Sequence, residues 1–98
     1  MKPCKRLEIV IEKPLASRME NKLIELGAPG YTLIDHASGL GDRGKRRGDE
    51  PTGTSTNVVF IVACPPDVDL EKLVDGVRTL LTQSGGICLV SDAMWVRH

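Results

Sequence analysis

The residues best suited to chemistry lie in a glycine-rich, basic stretch at residues 39–56. It holds five of the ten glycines of the chain and four basic side chains, those of Arg43, Lys45, Arg46 and Arg47. Glycines let the backbone approach an anion closely, and consecutive backbone N–H groups can form a pocket for it. Arg43 and Arg46 lie three residues apart, so both guanidinium groups can donate hydrogen bonds to one polyphosphate. The stretch therefore predicts a site for a small anion.

Two phosphate-binding patterns occur in this stretch, and neither has the context that its chemistry requires. Gly39, Gly41 and Gly44 spell GxGxxG, but the dinucleotide-binding form of that pattern opens a helix, and here a proline and further glycines follow. Gly39, Gly44 and Lys45 spell GxxxxGK. The P-loop needs Ser or Thr after the lysine to hold magnesium, and this chain has Arg46 there. Neither named motif is predicted to be functional.

A solvated charged loop is the alternative interpretation of the same stretch, because Asp42, Asp49 and Glu50 can compensate its basic side chains. The chain as a whole has thirteen basic and thirteen acidic side chains. Nucleic-acid binders ordinarily carry a basic excess, and the three aromatic residues are too few for a base-stacking platform. Nucleic acid is therefore not an expected partner.

Other side chains offer little evidence for a metal site or a catalyst. His36 and His98 have no partner at metal-ligand spacing, and Cys4, Cys64 and Cys88 form no CxxC motif. Cys64 and Cys88 lie in apolar runs and are predicted to be buried thiols. We find no nucleophile–base set and no acid–base pair. The sequence therefore predicts a binding protein, not an enzyme, without a metal or a cofactor.

The elements that position the loop follow from apolar periodicity and helix-end signals. Gly27 is predicted to end the first helix, Asp67 or Asp69 to begin the second, and Gly85 and Gly86 to end it. The order is β-α-β-loop-β-α-β, with strands at residues 7–12, 30–35, 57–64 and 87–90, helices at residues 15–26 and 70–81, and a short tail from residue 93.

Two βαβ units of this size predict one α+β domain over residues 1–98, a ferredoxin-like βαββαβ sandwich with both helices on one face of the sheet. The long loop, at about residues 37–56, joins the second and third strands. The third strand is apolar on both sides, and Val10 and Val90 are expected to point away from the helices. An open apolar sheet face predicts self-association, most economically in a cyclic assembly.

No stretch approaches the roughly 18 to 20 apolar residues that a membrane span needs. The N-terminal apolar run is short and contains Glu8 and Glu12, unlike a signal peptide. We therefore expect a cytoplasmic protein with no direct membrane insertion.

The chain resembles the PII-like signalling proteins over nearly its whole length. The resemblance is carried by GAPGYT at residues 27–32, GLGDRGKR at residues 39–46 and GGICLVSDAMWV at residues 85–96. These relatives are ferredoxin-like homotrimers with a long T-loop between strands two and three, and they bind adenine nucleotides in clefts between subunits. The GxGxRxxR pattern at the start of the loop is similar to the branch tied to bicarbonate transport and carboxysomes.

This resemblance implies how a nucleotide such as AMP, ADP or ATP would be held. Arg43 and Arg46 would bind its phosphates, and Gly39 and Gly41 would allow close backbone approach. The adenine and ribose cleft would be lined by Thr32, Gly85, Gly86 and Ile87, with a further contact from Arg97. Bicarbonate would be a second ligand at an unidentified position, and a transporter or a carboxysome-related protein would be the downstream partner.

The chain departs from the nitrogen-sensing PII proteins in lacking a tyrosine in the loop and a lysine-rich segment before the last strand, so uridylylation and 2-oxoglutarate sensing are not expected. Two other classes share the architecture. An acylphosphatase-like hydrolase would need an arginine after the first strand, where this chain has Glu12, Lys13 and Pro14. A trimeric divalent-cation-binding protein of the copper-tolerance type would bind metal through His or Cys.

Overall fold

The computed structural model describes residues 1–38 and 56–96. It confirms the predicted α+β ferredoxin-like arrangement, in which the sheet has the strand order β2-β3-β1-β4 with every neighbouring pair antiparallel. The strands are β1 (Lys2–Glu12), β2 (Thr32–Ala37), β3 (Asn57–Cys64) and β4 (Ile87–Trp95), and the helices are α1 (Ala16–Glu25) and α2 (Leu70–Ser84). A short 3-10 turn, Lys13–Leu15, connects β1 to α1.

The core lies between the helices and one face of the sheet. Alternate residues of β1 and β3 point into it, as period-two alternation requires. Phe60 is fully buried, and Met19 of α1 and Leu73 and Val77 of α2 pack in the same cluster. This packing makes β1 and β3, the two central strands, a rigid base for the two edge strands.

The helix ends carry the predicted signals. Asp69, rather than Asp67, is the N-cap of α2, because its carboxylate accepts a 3.1 Å hydrogen bond from the backbone N–H of Lys72. Gly27 and Gly85 have φ values of 86° and 73°, the left-handed conformation that commonly follows a helix.

Strands β1 and β4 are longer than predicted. The expected tail from residue 93 is wrong, since β4 continues to Trp95 and pairs with β1, which itself begins at Lys2 rather than Leu7. These added residues lack a regular apolar alternation. They are held in the sheet by pairing between segments that lie far apart in the sequence, which local periodicity does not report.

The sheet face away from the helices carries exposed apolar side chains, as predicted, but their assignment needs two corrections. Val90 pairs with Leu7 and so lies on the helix side of the edge strand, whereas Val10 pairs with Ile87 on the open face, as expected. The predicted alternation of β4 was displaced by one residue at Val90, and such a displacement places a side chain on the opposite face of the sheet. The third strand is buried on only one side in the single chain, because Val59 and Ile61 alternate with fully buried neighbours and remain partly exposed.

Neither helix in the described ranges has the length and apolar character required to cross a membrane.

Candidate functional site

A cleft of about 370 Å³ lies on the open face of the sheet. Small-molecule sites commonly have volumes of a few hundred Å³ and mix apolar walls with a few polar groups. Thr32 of β2 and its partner Ile61 of β3 place the cleft on the face opposite the helices. Its lining residues are Pro29, Gly30, Tyr31, Thr32, Ile61, Ala63 and Trp95. The cleft is therefore a candidate site for a small, partly polar ligand.

Tyr31 fixes one wall of this cleft. Its ring packs edge-on against Phe60 with 5.4 Å between the ring centroids. Its hydroxyl donates a short hydrogen bond to Oε2 of Glu20 on α1. That hydrogen bond raises the pKa of Tyr31, because the carboxylate favours the neutral phenol. The residue preceding Thr32 is thus held to both the core and the first helix.

Of the predicted nucleotide-binding residues, the structure places Thr32 in the cleft and leaves Gly85, Gly86 and Ile87 outside it. Thr32 is on one edge strand and Ile87 on the other, with β3 and β1 between them. Three inter-strand spacings separate the two edges by about 14 Å. In the single chain, Ile87 and the two glycines accordingly do not join Thr32 in lining the cleft.

Gly85 and Gly86 also have structural reasons for being glycine. Gly85 is the left-handed C-cap of α2. A Cβ atom at Gly86 would lie 2.4 Å from the backbone oxygen of Val10 and 2.9 Å from Cδ2 of Leu81. The turn between α2 and β4 accordingly packs tightly against β1, which fixes the position of Ile87.

The other predicted ligand contacts, at Gly39, Gly41, Arg43, Arg46 and Arg97, lie outside the described residues.

The chain on either side of the residue 39–55 segment is fastened to the turn after β1. The backbone N–H of Lys13 donates a 3.1 Å hydrogen bond to the carbonyl of Thr56, and its Nζ donates a 2.9 Å hydrogen bond to Oδ2 of Asp35. Oδ1 of Asp35 accepts a 2.7 Å hydrogen bond from the backbone N–H of His36. The hydrogen bond from Lys13, followed by the one from His36, lowers the pKa of Asp35. These contacts set where the loop leaves and re-enters the sheet.

His36 has a left-handed backbone, with φ of 61°, and the β2–β3 register shifts between Ile34 and Ala37. Non-glycine residues seldom adopt this conformation. Strand β2 thus bends just before the loop. Asp35 and Asp92 lie at matching ends of the two βαβ repeats. Each forms an exposed ion pair, Asp35 with Lys13 and Asp92 with Lys5. The sequence analysis did not predict these pairs.

The described residues give little support to redox chemistry at a cysteine or to a bound metal ion. Burial raises the pKa of the Cys64 and Cys88 thiols, which keeps them protonated. Cys64 is buried as predicted, whereas Cys88, on the edge strand β4, is only partly buried. Within residues 1–38 and 56–96, no group of three or more His, Cys, Asp or Glu side chains is arranged to hold a metal ion.

The chain is similar to known proteins in sequence and in fold. The family model described as Nitrogen regulatory protein P-II matches residues 4–98. No curated protein sequence matches the chain significantly.

Solved structures give closer comparisons. CPII, a nitrogen regulatory PII-like protein from Thiomonas intermedia K12, bound to ADP, AMP and bicarbonate, is similar with a TM-score of 0.81 and 26% identity, over 97% of this chain and 90% of that chain. Its complex with ADP and bicarbonate gives 0.80 and 26%, with the same coverage. The B. subtilis GlnK–ATP complex gives 0.66 and 14%, over 95% of this chain and 84% of that chain, and supports the fold alone.

Proposed function

Because the chain belongs to the nitrogen regulatory protein P-II family, we propose that it is a non-enzymatic PII-like regulator that binds an adenine nucleotide between subunits. The observation that carries this proposal is the cleft beside Thr32, in a chain that shares 26% identity with CPII bound to ADP and AMP. The cleft supplies apolar walls and a hydroxyl, the groups that a purine base and its ribose require.

The positions of the predicted contacts favour a site built by two chains. Thr32 and the turn that contains Gly86 and Ile87 are at opposite edges of one sheet. A cyclic homotrimer would set the β2 edge of each chain against the β4 edge of the next and so complete the site three times. The exposed apolar side chains of the open face, including Ile34 and Leu89, would be buried in that assembly.

The phosphates would be held by Arg43 and Arg46, with Gly39 and Gly41 allowing the backbone to approach and Arg97 adding a further cation. Binding would draw the two loop arginines towards the nucleotide and change the surface that the loop offers to a partner protein. The ligand can shift this equilibrium only by its differential affinity for the two loop arrangements. The contacts of Lys13 with Asp35 and Thr56 would keep the loop base fixed while this happens.

Bicarbonate is proposed as the second ligand, because the CPII complexes were obtained with bicarbonate as well as with nucleotide. The protein would then report adenine-nucleotide state and inorganic carbon together. Its downstream partner would be a transporter or a carboxysome-related protein.

A thermal-shift screen with AMP, ADP and ATP, each with and without bicarbonate, tests this function. A ligand at one hundred times its dissociation constant stabilises the folded state by about 2.7 kcal/mol. We expect a higher midpoint with at least one adenine nucleotide and a further rise with bicarbonate. Divalent copper serves as the comparison for the copper-tolerance class. A shift with copper and none with any nucleotide would contradict the proposal.

A further inference from the structure

Trp95 and Thr32 line the same cleft although they come from opposite edge strands. Trp95 pairs with Lys2, whose side of β1 is opposite to the one that buries Leu7 and Ile9. The tryptophan therefore stands on the open face. Because β1 separates its strand from Ala63 and Ile61, the indole must extend across β1 to share a cleft with them.

Two side chains on the open face between Trp95 and β2 are small. Ala63 leaves room above β3, and Cys4, which is on the same open face of β1, is only 8% exposed. Trp95 itself is 42% exposed. Tyr31 and Phe60, the other aromatic residues of the chain, pack against each other. In the single chain, part of the Trp95 side chain is thus available to a ligand in the cleft.

We propose that Trp95 is the aromatic wall of the base site and stacks on the purine ring of the bound nucleotide. This inference rests on the proposed function and identifies the residue that selects the base. Thr32 supplies the hydroxyl partner on the β2 side, and Ile61 and Ala63 form the floor. A purine offers the indole more stacking area than a pyrimidine, so the site favours AMP over UMP. Stacking of a base on an aromatic side chain contributes measurably to affinity in other proteins.

The emission of Trp95 tests the inference directly, because the chain has one tryptophan. AMP is titrated into the intact protein while indole emission and calorimetric heat are recorded in parallel. We expect the emission to change with the same midpoint as the heat. Ribose 5-phosphate, which carries the phosphate without a base, is expected to leave the emission unchanged.

Substitutions separate stacking from a structural role. Trp95→Ala is expected to weaken AMP binding about tenfold, while Trp95→Phe retains most of the affinity. The affinity for ribose 5-phosphate should be the same in both variants and in the wild type. Met94→Ala is the matched control, since it removes an exposed apolar side chain from the neighbouring position on the other face of β4. Light scattering shows whether each variant keeps the wild-type assembly.

The outcomes distinguish this inference from the function on which it rests. Calorimetric binding of AMP with no change in Trp95 emission would overturn the stacking role and leave the nucleotide function intact. An equal loss of affinity for AMP and ribose 5-phosphate in Trp95→Ala would also overturn it, because the residue would then act on the fold. The absence of any calorimetric binding would contradict the nucleotide function itself.

Discussion

Lys13 donates a 2.9 Å hydrogen bond from Nζ to Oδ2 of Asp35, joining the turn after β1 to the last residues of β2 before the loop. The same lysine donates its backbone N–H to Thr56, the first described residue after the loop. Lys13 therefore contacts the chain both shortly before and directly after the loop. These two contacts fix the positions of the chain on both sides of residues 39–55 relative to the turn after β1.

The lowered pKa of Asp35 predicts a specific dependence of stability on pH. Its carboxylate stabilises the folded state fully above the ordinary carboxyl pKa, about 3.9, and this contribution disappears as the pH falls through the lower folded pKa. Asp35→Asn should therefore be less stable than the wild type at neutral pH and equal to it in strong acid. Urea denaturation at several pH values measures this difference. A difference that persists unchanged into strong acid would show that the charge of Asp35 is not its cause.

The close approach of Gly86 to β1 predicts that Gly86→Ala destabilises the fold. The added Cβ would lie 2.4 Å from a backbone oxygen, which cannot move without shifting a central strand. Overpacking of this kind typically costs about 1–3 kcal/mol. Gly30→Ala is the control, because a Cβ atom added there would meet nothing within 4 Å beyond its chain neighbours. Equal urea midpoints for both variants would contradict the packing described at Gly86.

The raised pKa of Tyr31 can be measured in isolation, since the chain has one tyrosine. Ultraviolet absorption titration should show its phenol ionising above the ordinary value. Glu20→Gln should bring the pKa down, because the hydrogen bond to the Glu20 carboxylate is the main cause of the shift. The stability that this pair contributes is present below the ordinary phenol pKa and is lost as the pH rises through the folded value. An unchanged pKa of Tyr31 in Glu20→Gln would show that the hydrogen bond to Glu20 is not what holds Tyr31 at this wall of the cleft.

The basic residues of the loop are expected to contribute unequally to nucleotide affinity. Arg43→Ala and Arg46→Ala should each weaken ADP binding by about 1.5–3 kcal/mol, the usual contribution of a hydrogen bond to a charged group. Arg47→Ala is the matched control, because Arg47 lies outside the GxGxRxxR pattern. Calorimetry on the three variants measures the difference. Equal small losses in all three would indicate a general effect of positive charge.

Local sequence signals were sufficient for elements whose ends are marked by residues close in the sequence. The bounds of β3 follow from its continuous β-branched run, and the start of α2 follows from Asp69 as an N-cap. The extension of β4 to Trp95 depends on pairing with the first residues of the chain, which no periodicity within residues 87–95 encodes. The misassigned face of Val90 has the same origin, since a phase error of one residue cannot be detected on an exposed edge strand.

The candidate site shows the same division. The family motifs predict Thr32 as a nucleotide contact, and Thr32 lines the cleft. The motif at residues 85–96 contains Trp95 but assigns it no role, because the sequence does not show that Trp95 and Thr32 line one cleft. The Lys13–Asp35 contact was also missed, since residues 22 positions apart meet only through the sheet. Charged residues cluster in the sequence near the ends of β1 and β2, but this clustering does not show which side chains pair with each other.

Native mass spectrometry of the intact protein with ADP or AMP tests the central claim most directly. We predict a homotrimer that takes up as many as three nucleotides, one for each junction between a β2 edge and a β4 edge. Thr32→Val should lower the occupancy without changing the number of chains. A monomer that binds one nucleotide, or a trimer that binds none at saturating concentrations, would contradict a nucleotide site built between subunits.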